Sequence, residues 1–147
     1  MEYVLKTIAW SLVITASIVD WRTMYLPLVL TLPATVFAIV GQGLFGLGWG
    51  ETLAGSGGGF LSIKAAQIWG RWRHGREVLG SGDAFLMLSL GALIGSVPTF
   101  LGIAVACCLG FILLRFGSHE RIAFGSCLTA GCMITWLTSC SILRHNL

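Results

Sequence analysis

Six apolar runs, separated by short polar or glycine-rich breaks, organise the chain: residues 3–19, 25–45, 51–69, 84–97, 99–114 and 123–141. A bilayer core about 30 Å thick takes roughly 17 to 25 mostly apolar residues per helix. The pattern therefore predicts an all-α polytopic membrane protein of about six transmembrane helices joined by short loops. They form a single membrane-embedded domain over residues 1–147, with no room for a separate soluble one.

Composition agrees with the pattern. Hydrophobic residues make up 56% of the 147 and charged residues only 10%, with a mean hydropathy of +0.87, outside the range of ordinary globular domains. The N-terminal stretch MEYVLKTIAW lacks the basic region and small-residue cleavage site of a removable signal peptide and is expected to stay as the first span. The formal charge of +3 is too small to point to nucleic acid, and no basic stretch is interleaved with stacking aromatics.

Where the positive charges lie says more than their sum. Arg22 falls in the first break, Arg71, Arg73 and Arg76 in the third, and Arg115 and Arg121 in the fifth. Alternating crossings put these three breaks on one side, which the positive-inside rule makes cytoplasmic. Lys6 and Lys64 fall inside spans, where long stems reach toward an interface or a polar interior. Trp21, Trp49, Trp69 and Trp72 lie at span ends, where interfacial aromatics anchor helices.

Small residues fit the same picture. The stretches GQGLFGLGWG and AGSGGGF and the GxxxG pair Gly91 and Gly95 read as sites of close helix packing. Cys107, Cys108, Cys127, Cys132 and Cys140 lie in apolar stretches without CxxC spacing, so they read as small buried hydrophobes rather than a metal site or disulfide framework. His74, His119 and His145 are dispersed, without ligand spacing. No metal and no cofactor are expected.

The chain has two aspartates, Asp20 and Asp83. Asp20 ends the first apolar run in SIVDWRTMYLP, and Asp83 opens the fourth in GSGDAFLMLSLGALIG. Two crossings separate them, so both lie at the same membrane face. Asp83 at a helix start is suited to capping, accepting backbone N–H bonds and complementing the dipole. Capping alone leaves the shared face and depth of the pair unaccounted for. Two carboxylates sharing a proton form a general acid and base, one taking a proton from water while the other polarises a carbonyl. Gly80 and Gly82 carry no side chain and can take positive φ, which would let a substrate backbone approach the carboxylate. With this composition a chance GxGD is expected ~0.04 times in such a chain.

The segment GSGDAFLMLSLGALIG resembles the GxGD signature of the type IV prepilin peptidases, bacterial inner-membrane aspartyl proteases. DWRTMYLPLVLTLP is similar to their first catalytic motif, with Asp20, Arg22 and Pro27 in the matching places. RIAFGSCLTAG resembles the Pro-Phe-Gly-Pro-like segment that leads into their last span. Phe85 stands where a lysine is common, and Ala123 and Ser126 stand where prolines are usual.

The resemblance implies a catalytic dyad of Asp20 and Asp83. Gly80 and Gly82 would shape the backbone around Asp83, and Arg22 and Pro27 would fix the turn after Asp20. The implied reaction is cleavage of the leader of a prepilin or pseudopilin at the cytoplasmic face of the inner membrane. Larger members carry an amino-terminal extension with paired CxxC motifs and an N-methyltransferase activity; with no CxxC here, methylation is not expected. The alternatives are another GxGD protease, of the preflagellin peptidase or presenilin-like kind, or a non-catalytic component of pilus assembly. A small transporter subunit would need ionisable groups near mid-membrane, whereas these acids sit at one interface.

Overall fold

The computed structural model describes residues 2–23, 26–74, 80–116 and 124–145; Arg76, His119, Arg121 and Ala123 lie outside them. Among the described residues six helices form from the six apolar runs: α1 (Glu2–Thr23), α2 (Leu28–Phe45), α3 (Trp49–His74), α4 (Ser81–Ile94), α5 (Ser96–Phe116) and α6 (Phe124–His145). The molecule is an all-α, polytopic membrane protein. Val4–Thr23, Leu28–Phe45 and Ser96–Leu113 are long and apolar enough to cross a bilayer.

α4 is the exception in length. Its 14 residues cover roughly 21 Å at about 1.5 Å per residue, less than the hydrocarbon thickness. It is also the most enclosed helix, packed against all five others. Leu86, Met87, Leu90 and Leu93 are fully or almost fully buried in it. A short helix packed by protein along most of its length need not match the bilayer, because little of it meets lipid.

Close backbone approach seats α4. A Cβ built on Gly55 of α3 would run into the Gly91 carbonyl and stand 2.7 Å from the Gly95 carbonyl carbon, and one built on Gly91 would run into Gly55. The GALIG pair is therefore a helix-packing device, as its spacing suggests. α5 and α6 repeat the device: a Cβ on Gly131 would stand 2.5 Å from the Gly102 carbonyl oxygen and 2.9 Å from the Ala106 nitrogen. Side chains that are exposed and apolar, such as Val29, Leu32 and Val36 on α2, Leu61 and Ile68 on α3, and Phe100 and Phe111 on α5, face outward, as lipid requires.

The apolar runs place several helix boundaries differently from the structure. α4 runs from Ser81 to Ile94 rather than over 84–97, because Gly95, at φ +84, breaks it one turn early. α5 then starts at Ser96 and takes Pro98 into its first turn, where a missing N–H leaves no intrahelical bond unmade. α3 outlasts its apolar stretch and carries Arg71 and Arg73 on its last turn.

The two ends of the bundle differ in their polar contacts. At the end where α4 stops, Gln42 Nε2 donates to the Leu93 carbonyl at 2.6 Å, and Ser96 gives both its amide and its hydroxyl to Glu51 Oε2, at 3.3 and 2.6 Å. These bonds tie α2, α3 and α5 around the C-terminus of α4. The opposite end, where α1 stops and α4 and α6 start, holds both aspartates.

Candidate functional site

Asp20 lies in the last turn of α1 and Asp83 in the first turn of α4, and both are buried, at 5% and 6% exposure. They meet beside the first turn of α6. A Cβ built on Gly125 would stand 2.8 Å from Asp20 Oδ2 and 3.1 Å from Asp83 Oδ1. The two oxygens are thus no farther apart than the sum of those distances. Water-mediated or direct sharing of a proton is within reach at such separations.

Each carboxylate has its own means of being held. Asp20 Oδ2 accepts the Ser126 backbone N–H at 3.2 Å, and the Gly125 amide lies near enough to favour the carboxylate's charge. Both amides belong to the first turn of α6, where N–H groups have no intrahelical partner and the helix dipole is positive. The Ser126 hydroxyl donates to the Ser17 carbonyl at 2.8 Å, which ties α6 to α1. Asp83 donates its amide to the Gly80 carbonyl at 3.2 Å, and its carboxylate turns back toward Gly80. Capping and pairing with Asp20 are compatible in Asp83.

The glycines before Asp83 act by their size. Gly80 caps α4 in an extended conformation, φ −66 and ψ 143, and Gly82 is inside the helix. Among the described residues, positive φ occurs at Gly48 and Gly95 instead. A Cβ on Gly82 would stand 2.8 Å from Leu26 Cβ, so the missing side chain makes room for Leu26. Gly80 is further pinned from α3, whose Gln67 Nε2 donates to its carbonyl at 2.6 Å.

Pro27 and Arg22 have different places. Pro27 is the N-cap of α2, and its carbonyl receives the Leu30 and Thr31 amides at 3.0 and 3.4 Å. The fixed proline ring directs the chain so that Leu26, 7% exposed, sits between Gly82 and Gly125. Arg22 is exposed in the last turn of α1, where a cation complements the negative end of the dipole. Among the described residues it makes no contact with either aspartate.

Phe85, two residues after Asp83, is half-buried and sets its ring edge-on to Phe60 at 5.8 Å. Lys64 Nζ, midway along α3, lies 5.8 Å from the Phe60 ring centroid and is held over an aromatic face.

Leu26, Gln67, Gly125 and Ser126 escape a reading of composition and spacing. Leu26 and Gln67 are ordinary residues in apolar or mixed sequence, and nothing local marks what they touch. Gly125 and Ser126 carry a signal only through the RIAFGSCLTAG resemblance. Arg76, Arg121 and Ala123 of the sequence reading fall outside the described residues.

Comparison with known proteins follows the same residues. The sequence profile of the type IV leader peptidase family matches residues 7–114. The chain is 34% identical over 131 residues to a prepilin leader peptidase/N-methyltransferase of Escherichia coli (strain K12). That alignment covers 83% of this chain and 57% of the E. coli protein, so the chain spans little more than half the length of the curated relative it matches. No solved structure matches it.

Proposed function

Because the chain belongs to the type IV leader peptidase family, we propose that it is a membrane aspartic endopeptidase whose dyad is Asp20 and Asp83. The observation that carries this reading is the convergence of both buried carboxylates on Gly125. The substrate it fits is the leader junction of a type IV prepilin or pseudopilin, a class supported by the name of the E. coli relative.

In this mechanism one carboxylate is ionised and the other protonated. The ionised member takes a proton from a water as its oxygen bonds to the carbonyl carbon of the scissile peptide, and the protonated member gives its proton to the carbonyl oxygen. A neutral tetrahedral diol results. The first carboxyl then passes its proton to the amide nitrogen, the carbon–nitrogen bond breaks, and the second recovers a proton from a diol hydroxyl. The pair returns to its starting state with one water consumed. Burial strengthens each of these proton transfers by excluding competing water.

The glycines supply the access this chemistry requires. Gly80 is exposed beside Asp83, while Gly125 is buried and by its size leaves room for the two carboxylates and Leu26. An extended peptide can lie against the Gly80 backbone where a side chain would stand in its way.

The reaction face proposed is cytoplasmic. Arg22, Arg71, Arg73 and Arg115 all lie on helix turns at the dyad end of the bundle, and the positive-inside rule sends that end to the cytoplasm of a bacterial inner membrane. A fusion reporter active only in the periplasm, attached after Arg73, should stay silent; a strong signal there would reverse the orientation. For the activity itself, the chain is co-expressed with a prepilin and the product sized by mass spectrometry. Loss of the leader supports the reading, and an intact precursor beside well-expressed protein contradicts it.

A further inference from the structure

Ser126 reaches the site in two ways that the dyad chemistry does not itself require. Its amide meets the carboxylate of Asp20 at 3.2 Å, and its hydroxyl meets the Ser17 carbonyl, one turn earlier on α1, at 2.8 Å. The two bonds form a clasp between the last turns of α1 and the first turn of α6. We infer that Ser126 is a positioning residue for the reaction: the clasp orients Asp20 and sustains it as the ionised, water-activating member of the pair. The inference rests on the dyad reading and deepens it.

The chemistry of the donors favours this division of labour. Asp20 stands at the C-terminal end of α1, where the helix's own dipole opposes a negative charge. The amides of Ser126 and Gly125, at the N-terminus of α6, supply what α1 withholds, and hydrogen bonds to a carboxylate stabilise its charged form. Asp83 has the Gly80 backbone beside it and no donor from α6 among the described residues. Among the described residues, the titratable groups facing Asp20 are Asp83 from α4 and Cys127 from α6.

The hydroxyl serves geometry. It donates to the Ser17 carbonyl at 2.8 Å, which keeps the amide aimed at Oδ2, and it also stands close enough to Asp20 to favour its charge. Without it the α6 backbone still presents the amide, but less firmly. The two parts of the clasp therefore separate by substitution. Ser126→Pro removes the amide at a first-turn position that tolerates proline, and Ser126→Ala removes the hydroxyl alone.

The test is steady-state cleavage of a prepilin by the full chain in lipid nanodiscs, with kcat and KM determined for wild type, Ser126→Ala, Ser126→Pro and Asp20→Asn. The expected result for Ser126→Pro is kcat lower by about 10- to 100-fold with KM within twofold, from the loss of a charge-assisted hydrogen bond. Ser126→Ala is expected to recover kcat to within about threefold of wild type, as a neutral tether would allow. A folded Ser126→Pro enzyme with wild-type kcat, or one that changes KM instead, overturns the inference. If Asp20→Asn still cleaves, the dyad itself is wrong, a result the Ser126 variants alone would not produce. Should Ser126→Pro fail to accumulate, hydrogen exchange decides: the Ser126 amide should exchange at least tenfold faster in Asp20→Ala than in wild type, and equal rates overturn the clasp.

Discussion

Leu26 fills the space that a side chain on Gly82 would occupy, since a Cβ there would come within 2.8 Å of Leu26 Cβ and 3.2 Å of its Cδ2. The loop after Asp20 and the helix that carries Asp83 are thereby locked together. Gly82→Ala should push Leu26 away and lower thermal stability in detergent by about 1–3 kcal/mol, the usual cost of overpacking. Cleavage should fall with it, and a Leu26→Ala partner substitution should restore part of the stability. A fully stable Gly82→Ala protein would show that the contact yields without cost.

Gly125 is under a tighter constraint, because its neighbours are the reacting groups. A methyl at 125 has a carboxylate oxygen on each side, at 2.8 and 3.1 Å, so Gly125→Ala should spread the pair. A displacement near 1 Å in a catalytic group costs on the order of 100-fold in rate. The expected phenotype is a protein that accumulates and melts close to wild type but cleaves about 100-fold more slowly. Melting and cleavage lost in proportion would make Gly125 a packing residue only.

The seat of α4 can be tested away from the site. Gly91→Val should destabilise the bundle strongly, because Gly55 and Gly91 meet backbone to backbone. Gly57→Val is the control, since nothing lies within 4 Å of a Cβ at that position. Comparable melting of the two variants would mean that α3 and α4 separate without penalty.

A pair that works with one shared proton loses its function on both sides of a pH optimum. At low pH both carboxyls are protonated and neither accepts from water; at high pH both are ionised and neither donates to the carbonyl. Cleavage in nanodiscs should therefore follow a bell-shaped profile with two apparent titrations that belong to the pair. A rate that changes in one direction only across the accessible range would show that a single titrating group governs it.

Much of this architecture is legible before any coordinates. Hydropathy alone locates the six helices, because in lipid the length of an apolar run is a physical requirement. Counting crossings puts Asp20 and Asp83 at one end, and GALIG announces a close helix contact. The roles of individual residues are less legible. The glycines of GSGD suggest backbone freedom, yet Gly82 serves by leaving room for Leu26, a tertiary contact that no local pattern encodes. The short α4 looks like any other span until its enclosure is seen. Ser126 interrupts an expected proline, and only the structure shows that this gives Asp20 an amide that proline lacks.

The most direct measurement is cleavage of a co-expressed prepilin by Asp20→Asn and Asp83→Asn at matched membrane levels. Asparagine keeps the size and most of the hydrogen bonding of each carboxylate while removing its proton exchange. Each variant alone is expected to leave the precursor uncut. Leader removal at an appreciable rate by either one would contradict the dyad.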